Sequence, residues 1–181
     1  MVILVLAVAI LPLLGVGGHQ VVRAEIPGPI KDERLTPRIA STAKALYAVY
    51  FGFSILCLFV YLLAGLSWFE AWFHMATTMG LGGFSIWDDG FSHFDSLQVE
   101  LVASVFMLIA EINFATHFTA LRQRSFHAYR RCPEAIPYLS VVLGMGLVIS
   151  VYLYVENIYP DPWSALRYGM FNTISMATTT G

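Results

Sequence analysis

The chain alternates long apolar runs with short polar stretches. A hydrocarbon core about 30 Å thick is crossed by roughly 20 apolar residues in helix. Four segments approach that length: residues 1–18, 45–66, 97–121 and 137–155. The first is apolar throughout and closes on Gly15-Val16-Gly17-Gly18, and the second contains no charge. The third carries Glu100, Glu111, Asn113 and His117, and the fourth stays apolar up to Glu156. The connections after the second and fourth runs are too apolar and aromatic for ordinary external loops. Residues 68–77 and 163–177 instead predict short helices, each followed by a Thr/Gly-rich stretch, at 78–85 and 178–181. A ten-residue helix is about 15 Å long, half the membrane. The pattern predicts an all-α integral membrane protein with four transmembrane helices and two re-entrant helix–loop units.

Charge placement orients the spans, because cytoplasmic connections retain Lys and Arg. Arg23, Lys31, Arg34, Arg38 and Lys44 lie between the first and second runs, and Arg122, Arg124, Arg130 and Arg131 lie between the third and fourth. Residues 67–96 hold no Lys or Arg but contain Glu70, Asp88, Asp89 and Asp95. The first and third connections therefore face the cytoplasm and the N-terminus begins outside. Arg167 alone departs from this pattern. The first run has no basic start and does not end in the Ala-x-Ala cleavage site of a signal peptide, and it reads as a span.

Composition narrows the class. The chain is 57% apolar and 12% charged, with a net charge of -2, whereas soluble domains carry about 25% charged residues. This excludes a soluble enzyme, a disordered tail and a nucleic-acid binder. Cys57 and Cys132 form no Cys-x-x-Cys pair and no disulfide framework. The histidines, His19, His74, His93, His117 and His127, are scattered, with no His-Glu-x-x-His spacing to hold a catalytic transition metal.

One internal repeat carries the chemistry. Met75-Ala76-Thr77-Thr78-Met79-Gly80 and Met176-Ala177-Thr178-Thr179-Thr180-Gly181 differ at one position in six, and each follows a full span and a short aromatic helix. Such recurrence marks a repeated supersecondary unit. Non-helical backbone at membrane depth is tolerated where it is buried in protein or lines an aqueous path. A dehydrated cation needs oxygen ligands, which a row of backbone carbonyls supplies without a trapping fixed charge. Glycine permits the backbone turns this requires, threonine stiffens the frame, and a half-helix aims its partially negative C-terminus at the path. Close packing of small residues between helices is the competing explanation, and the duplication with the same preceding helix favours an ion filter. Candidate carbonyl donors are Thr78, Met79, Gly80, Leu81 and Gly82 in one copy and Ala177, Thr178, Thr179, Thr180 and Gly181 in the other, with Gly83, Phe84 and Ser85 as support.

These residues resemble the pore-forming subunit of the Trk/Ktr/HKT potassium uptake superfamily, in its bacterial TrkH-like branch. The likeness covers the whole chain. The run Ala9-Ile10-Leu11-Pro12-Leu13-Leu14 is similar to the inner end of the span after the family's first filter, and Ile26-Pro27-Gly28-Pro29-Ile30-Lys31-Asp32 to its first cytoplasmic linker. Gly82-Gly83-Phe84-Ser85, with Asp88 or Asp89 following as the family's acidic residue does, resembles the second filter, and Ala177-Thr178-Thr179-Thr180-Gly181 the third. The resemblance implies four repeats of outer helix, pore helix, filter and inner helix around one pore. On that plan residues 1–44 end the first repeat, 45–134 form the complete second (outer helix 45–66, pore helix 68–77, filter 78–85, inner helix 97–121, linker 122–134), and 135–181 begin the third (outer helix 137–155, pore helix 163–177, filter 178–181). The chain is then an incomplete pore subunit.

The implied function is potassium uptake across the bacterial cytoplasmic membrane. Its implied cargo is the potassium ion at the filter residues, with no organic cofactor and no transition metal. Implied partners are membrane lipid, a second subunit in a homodimer, and cytoplasmic nucleotide-binding regulatory subunits of the TrkA type. The rival reading is a non-conducting membrane scaffold or truncated pseudo-subunit. Literal repeat matching aligns Gly80 with Gly181, whereas the family string aligns Gly82 with it. Glu111, Asn113 and His117 are candidates to line an inner cavity. For Asn113 and His117 a hydrogen-bonded contact between helices is the favoured alternative, and Glu111 departs from the small or neutral residue expected there.

Overall fold

The computed structural model of the protein describes residues 39–125 and 127–180. The first apolar run, most of the first basic linker and Gly181 lie outside the described residues. Those described are helical apart from turns and extended links, with no strand among them. In chain order the elements are α1 (Ile39–Leu63), α2 (Trp68–Gly80), a 3₁₀ turn (Gly90–Phe94), α3 (Leu97–Glu111), α4 (Phe114–Gln123), α5 (His127–Arg131), α6 (Ala135–Val155) and α7 (Pro162–Ala177). Two stretches, Ala45–Leu63 and Ala135–Val155, are each long and apolar enough to cross a membrane, and α3 with α4 passes the same test only when taken together.

The sequence predicts one helix over 97–121, and the structure instead ends α3 at Glu111. Ile112 is extended (φ −64°, ψ 139°), and the side chain of Asn113 accepts a hydrogen bond from the Ala115 N–H at 2.9 Å. Asparagine offers backbone amides a local partner, which favours a fresh N-cap over helix continuation.

The described residues fall into two compact units, those within 1–52 with those within 113–134, and those within 53–112 with those within 135–181. In the first, the Tyr50 ring meets Phe114 edge-on at 5.8 Å, and the buried His117 Nδ1 lies 2.8 Å from the Tyr129 hydroxyl.

The second unit contains both short helices. α7 packs along α6 and also against α3, which in turn packs against α2. The α6–α7 contact rests on small residues: Val142, Gly146 and Ser150 form the buried stripe of α6, and the Gly169 backbone lies against Ser150. A methyl group on Gly146 would stand 2.6 Å from Met170 Sδ. Small residues let helix backbones approach closely in a setting where burying apolar surface gives no advantage over lipid. The rest of α6 turns Val141, Leu147, Val148, Val151 and Tyr152 outward, and α1 does the same with Phe51, Ile55, Phe59 and Leu63. Apolar surface this extensive suits a bilayer rather than water.

Candidate functional site

Each repeated motif sits at the exit of a short helix. α2 begins in a capping box: the Ser67 hydroxyl accepts the Glu70 N–H, while the Glu70 carboxylate accepts the Ser67 N–H at 2.9 Å and its hydroxyl at 2.6 Å. α7 begins at Asp161, whose carboxylate accepts the Ser164 N–H and hydroxyl, both at 3.0 Å, with Pro162 in the first turn. These bonds satisfy amides that a helix start leaves open. They also stabilise the ionised carboxylates. The Ser67 hydroxyl and amide hold Glu70 below the usual carboxylate range, and the Ser164 amide and hydroxyl do the same for Asp161.

The two helices end alike. Leu81 takes the left-handed conformation (φ 51°), Leu81 N–H donates to the Thr78 carbonyl at 3.3 Å and Gly82 N–H to the Thr77 carbonyl at 2.9 Å. In α7 Thr179 is left-handed (φ 57°), Thr179 N–H donates to the Met176 carbonyl at 3.1 Å and Thr180 N–H to the Ser175 carbonyl at 2.9 Å. Both are Schellman ends, which turn the chain sharply off the helix axis. They pair Leu81 with Thr179 and Gly82 with Thr180, so Gly83 falls at the register of Gly181. That register is one residue from the family string and three from literal matching. The physical reason is that α2 persists through Thr78, Met79 and Gly80, where the sequence reading begins the filter.

Beyond the helices the two exits touch. Gly83 is left-handed (φ +66°), and its Cα faces the Thr180 carbonyl so closely that any β-carbon there would collide with it. A glycine is therefore required at this position on both steric and conformational grounds. Phe84 is exposed, and the Ser85 hydroxyl accepts the Trp87 N–H at 3.1 Å.

Threonine hydroxyls fasten the exits from behind. Thr78 is buried, and its Oγ1 lies 2.8 Å from the hydroxyl of the fully buried Tyr61 on α1. Thr178, the C-cap of α7, donates from Oγ1 to the Ile174 carbonyl at 2.9 Å and lies 2.9 Å from Thr180 Oγ1. Both Thr178 and Thr180 are buried. Thr78, Thr178 and Thr180 thus spend their hydroxyls on the frame. Met79 is buried, Gly80 is exposed, and Ala177 is the last residue of α7.

Two further contacts surround these exits. On α7, Arg167 forks onto Glu100 of α3, with Nε 2.8 Å from Oε2 and Nη2 2.9 Å from Oε1, and Nη2 also reaches Asp95 Oδ1 at 3.1 Å. The basic residue off the orientation pattern and an acid in an apolar run are thus partners. On α2, His74 is fully buried among the rings of Phe91, Phe94 and Phe73, with centroids 5.0, 5.2 and 5.8 Å away, and neither ring nitrogen has a hydrogen-bond partner among the described residues.

The three intramembrane candidates are placed elsewhere. Glu111 is exposed at the end of α3, Asn113 caps α4, and His117 is turned into the contact with Tyr129. Sequence reasoning passed over Tyr61, for which nothing in the local pattern singles out one tyrosine of an uncharged span. Arg167 and Glu100 each stand out in the sequence, one as the basic residue off the charge pattern and one as an acid in an apolar run, and their opposite charge is the signal that could pair them.

Known proteins resemble this chain over nearly its whole length. Residues 1–144 match the family model "TrkH: Cation transport protein". The chain is 44% identical over 179 residues to the Trk system potassium uptake protein TrkH of Halomonas elongata, and 40% identical over 179 residues to that of Escherichia coli K12. Each alignment covers 99% of this chain and 37% of the relative. The crystal structure of the potassium transporter TrkH from Vibrio parahaemolyticus superposes with a TM-score of 0.79 at 36% identity, covering 98% of this chain and 35% of that one. The chain therefore spans a little over a third of the length of the relatives it matches.

Proposed function

The chain belongs to the TrkH family of cation transport proteins, a family of transporters rather than enzymes, and from that premise we propose that it forms part of a potassium-conducting pore in the bacterial cytoplasmic membrane. Residues 45–134 supply the complete second repeat of that pore, flanked by the end of the first repeat (1–44) and the start of the third (135–181). Residues 1–18, 45–66, 97–121 and 137–155 cross the membrane, with α2 and α7 as re-entrant pore helices and the N-terminus of this chain outside. Potassium is the cargo, held by backbone carbonyls of the second and third filters.

One observation carries this reading: two short helices end in the same left-handed turn, and the backbones that leave them meet at Gly83 and Thr180. Buried threonine hydroxyls hold those backbones from the side, as a carbonyl-lined path requires. Subunits pair as a homodimer within membrane lipid, and the basic connections at 23–44 and 122–131 face TrkA-type nucleotide-binding regulatory subunits in the cytoplasm.

Growth of a potassium-requiring strain at limiting potassium tests the proposal. The full protein carrying this sequence restores growth and potassium uptake, and replacing Gly82 with valine abolishes or broadens selectivity. Failure of the unmodified protein to support uptake, at normal membrane abundance, sinks the transport reading in favour of a scaffold. Unchanged selectivity in Gly82→Val removes the second filter from it.

A further inference from the structure

The second and third filters are borne by different elements, so something beyond the membrane has to hold their separation. Gly83 and Thr180 touch through backbone alone. Among the described residues the Arg167 fork is a polar link that joins the pore helix of one exit to the helix that follows the other exit in the chain. Arg167 lies in the first half of α7, and Glu100 in the first turn of α3. The Arg167 side chain is 16% exposed and that of Glu100 7%, while Asp95 stands 80% exposed at the rim.

Helix electrostatics alone would not choose this arrangement. A cation near a helix N-terminus opposes the macrodipole, whereas the Glu100 carboxylate at the start of α3 is favoured by it. Arg167 is held where it is by the bidentate carboxylate, whose two parallel bonds fix direction as well as distance. A lone ammonium would supply the charge without the direction. Burial makes the bond geometry persist, because neither partner reaches water fully enough to exchange it.

We infer that the Arg167–Glu100 pair is a positioning clamp that sets the distance between the second and third filters, and through it the ion selectivity of the pore. Neither residue touches the ion, and Asp95 trims the clamp at the solvent edge. This inference rests on the reading of the exits as filters.

Selectivity at matched membrane abundance is the readout, measured as potassium-over-sodium uptake by the full protein. In Glu100→Gln/Arg167→Gln no buried unpaired charge remains and Asp95 is left in water, so a purely structural pair leaves selectivity unchanged. On the clamp, that variant loses selectivity by on the order of tenfold, the change that accompanies a modest conformational shift. Arg167→Lys keeps the charge and the folded protein, yet also loses selectivity, by roughly fivefold, because an ammonium does not span both carboxylate oxygens. Unmodified selectivity in Arg167→Lys, or in the double variant where it reaches the membrane, overturns the clamp. Absence of potassium uptake by the unmodified protein instead overturns the filter reading beneath it, so the two failures are distinct.

Discussion

The two helix–exit units, residues 67–85 and 161–180, share a backbone and differ in how it is fastened. Both start on an oxygen cap and both leave through a left-handed residue with the same pair of hydrogen bonds. In the first unit the buried threonine reaches across to Tyr61, 17 residues earlier, and the helix is wedged by aromatic rings around a histidine whose ring nitrogens have no hydrogen-bond partner among the described residues. In the second the threonines bond to their own helix end and to each other, and the helix is pinned by an ion pair. The comparison teaches that the recurring six-residue string encodes how the chain leaves a helix. What keeps that exit in place is encoded elsewhere, and by different chemistry in each copy.

Perturbations of increasing subtlety separate what is shared from what differs. The largest effect falls where the two units meet: Gly83→Ala forces a side chain into left-handed backbone, costing about 1–2 kcal/mol before the collision with the Thr180 carbonyl is counted. Potassium uptake should vanish while the second unit's own helix end is untouched, as measured by ion flux and by circular dichroism in detergent. Next, Glu100→Gln leaves Arg167 with only the rim carboxylate of Asp95 and should lower stability by about 3 kcal/mol, read from thermal unfolding. That loss belongs to the second unit alone.

Tyr61→Phe tests the first unit. It strands the Thr78 hydroxyl in a buried site, a penalty of about 1–3 kcal/mol. Thr178→Val should cost less, about 1 kcal/mol, because its carbonyl partners are already bonded within the helix end and Thr180, whose hydroxyl it strands, is less deeply buried than Thr78. Equal losses from the two would erase the distinction between a long-range and a local fastening. The smallest effect lies at the caps. Ser67→Ala should remove about 1 kcal/mol. Because Glu70 and Asp161 are held below their ordinary range in the folded chain, their contribution is complete at neutral pH. It fades as pH falls through and below about 4, where both carboxylates take up protons. A thermal midpoint that rises on acidification over that range would contradict the cap geometry.

Much of this was legible in the residue order. The two long apolar runs around 45–63 and 135–155, the short helices after them and the Ser67 and Asp161 starts follow from hydrophobic length and from oxygen side chains beside helix-forming stretches. The end of α2 was not legible, since helix propensity carries it on to Gly80 and the position at which a helix releases its chain depends on the contacts waiting there. Nor was the break at Ile112, where an apolar run favours helix and a single asparagine redirects it.

Spans, their charge asymmetry and the duplicated exit are properties of neighbours along the chain, and local physics suffices to read them. The pairing of Arg167 with Glu100, 67 residues away, belongs to another class, as do the Tyr61–Thr78 bond and the approach of Gly83 to Thr180. Each joins residues that the chain alone could place on a helix but not opposite one another. Folding chose these partners, because inside a membrane a charge or a hydroxyl is stable only where the packed helices bring its complement within bonding distance.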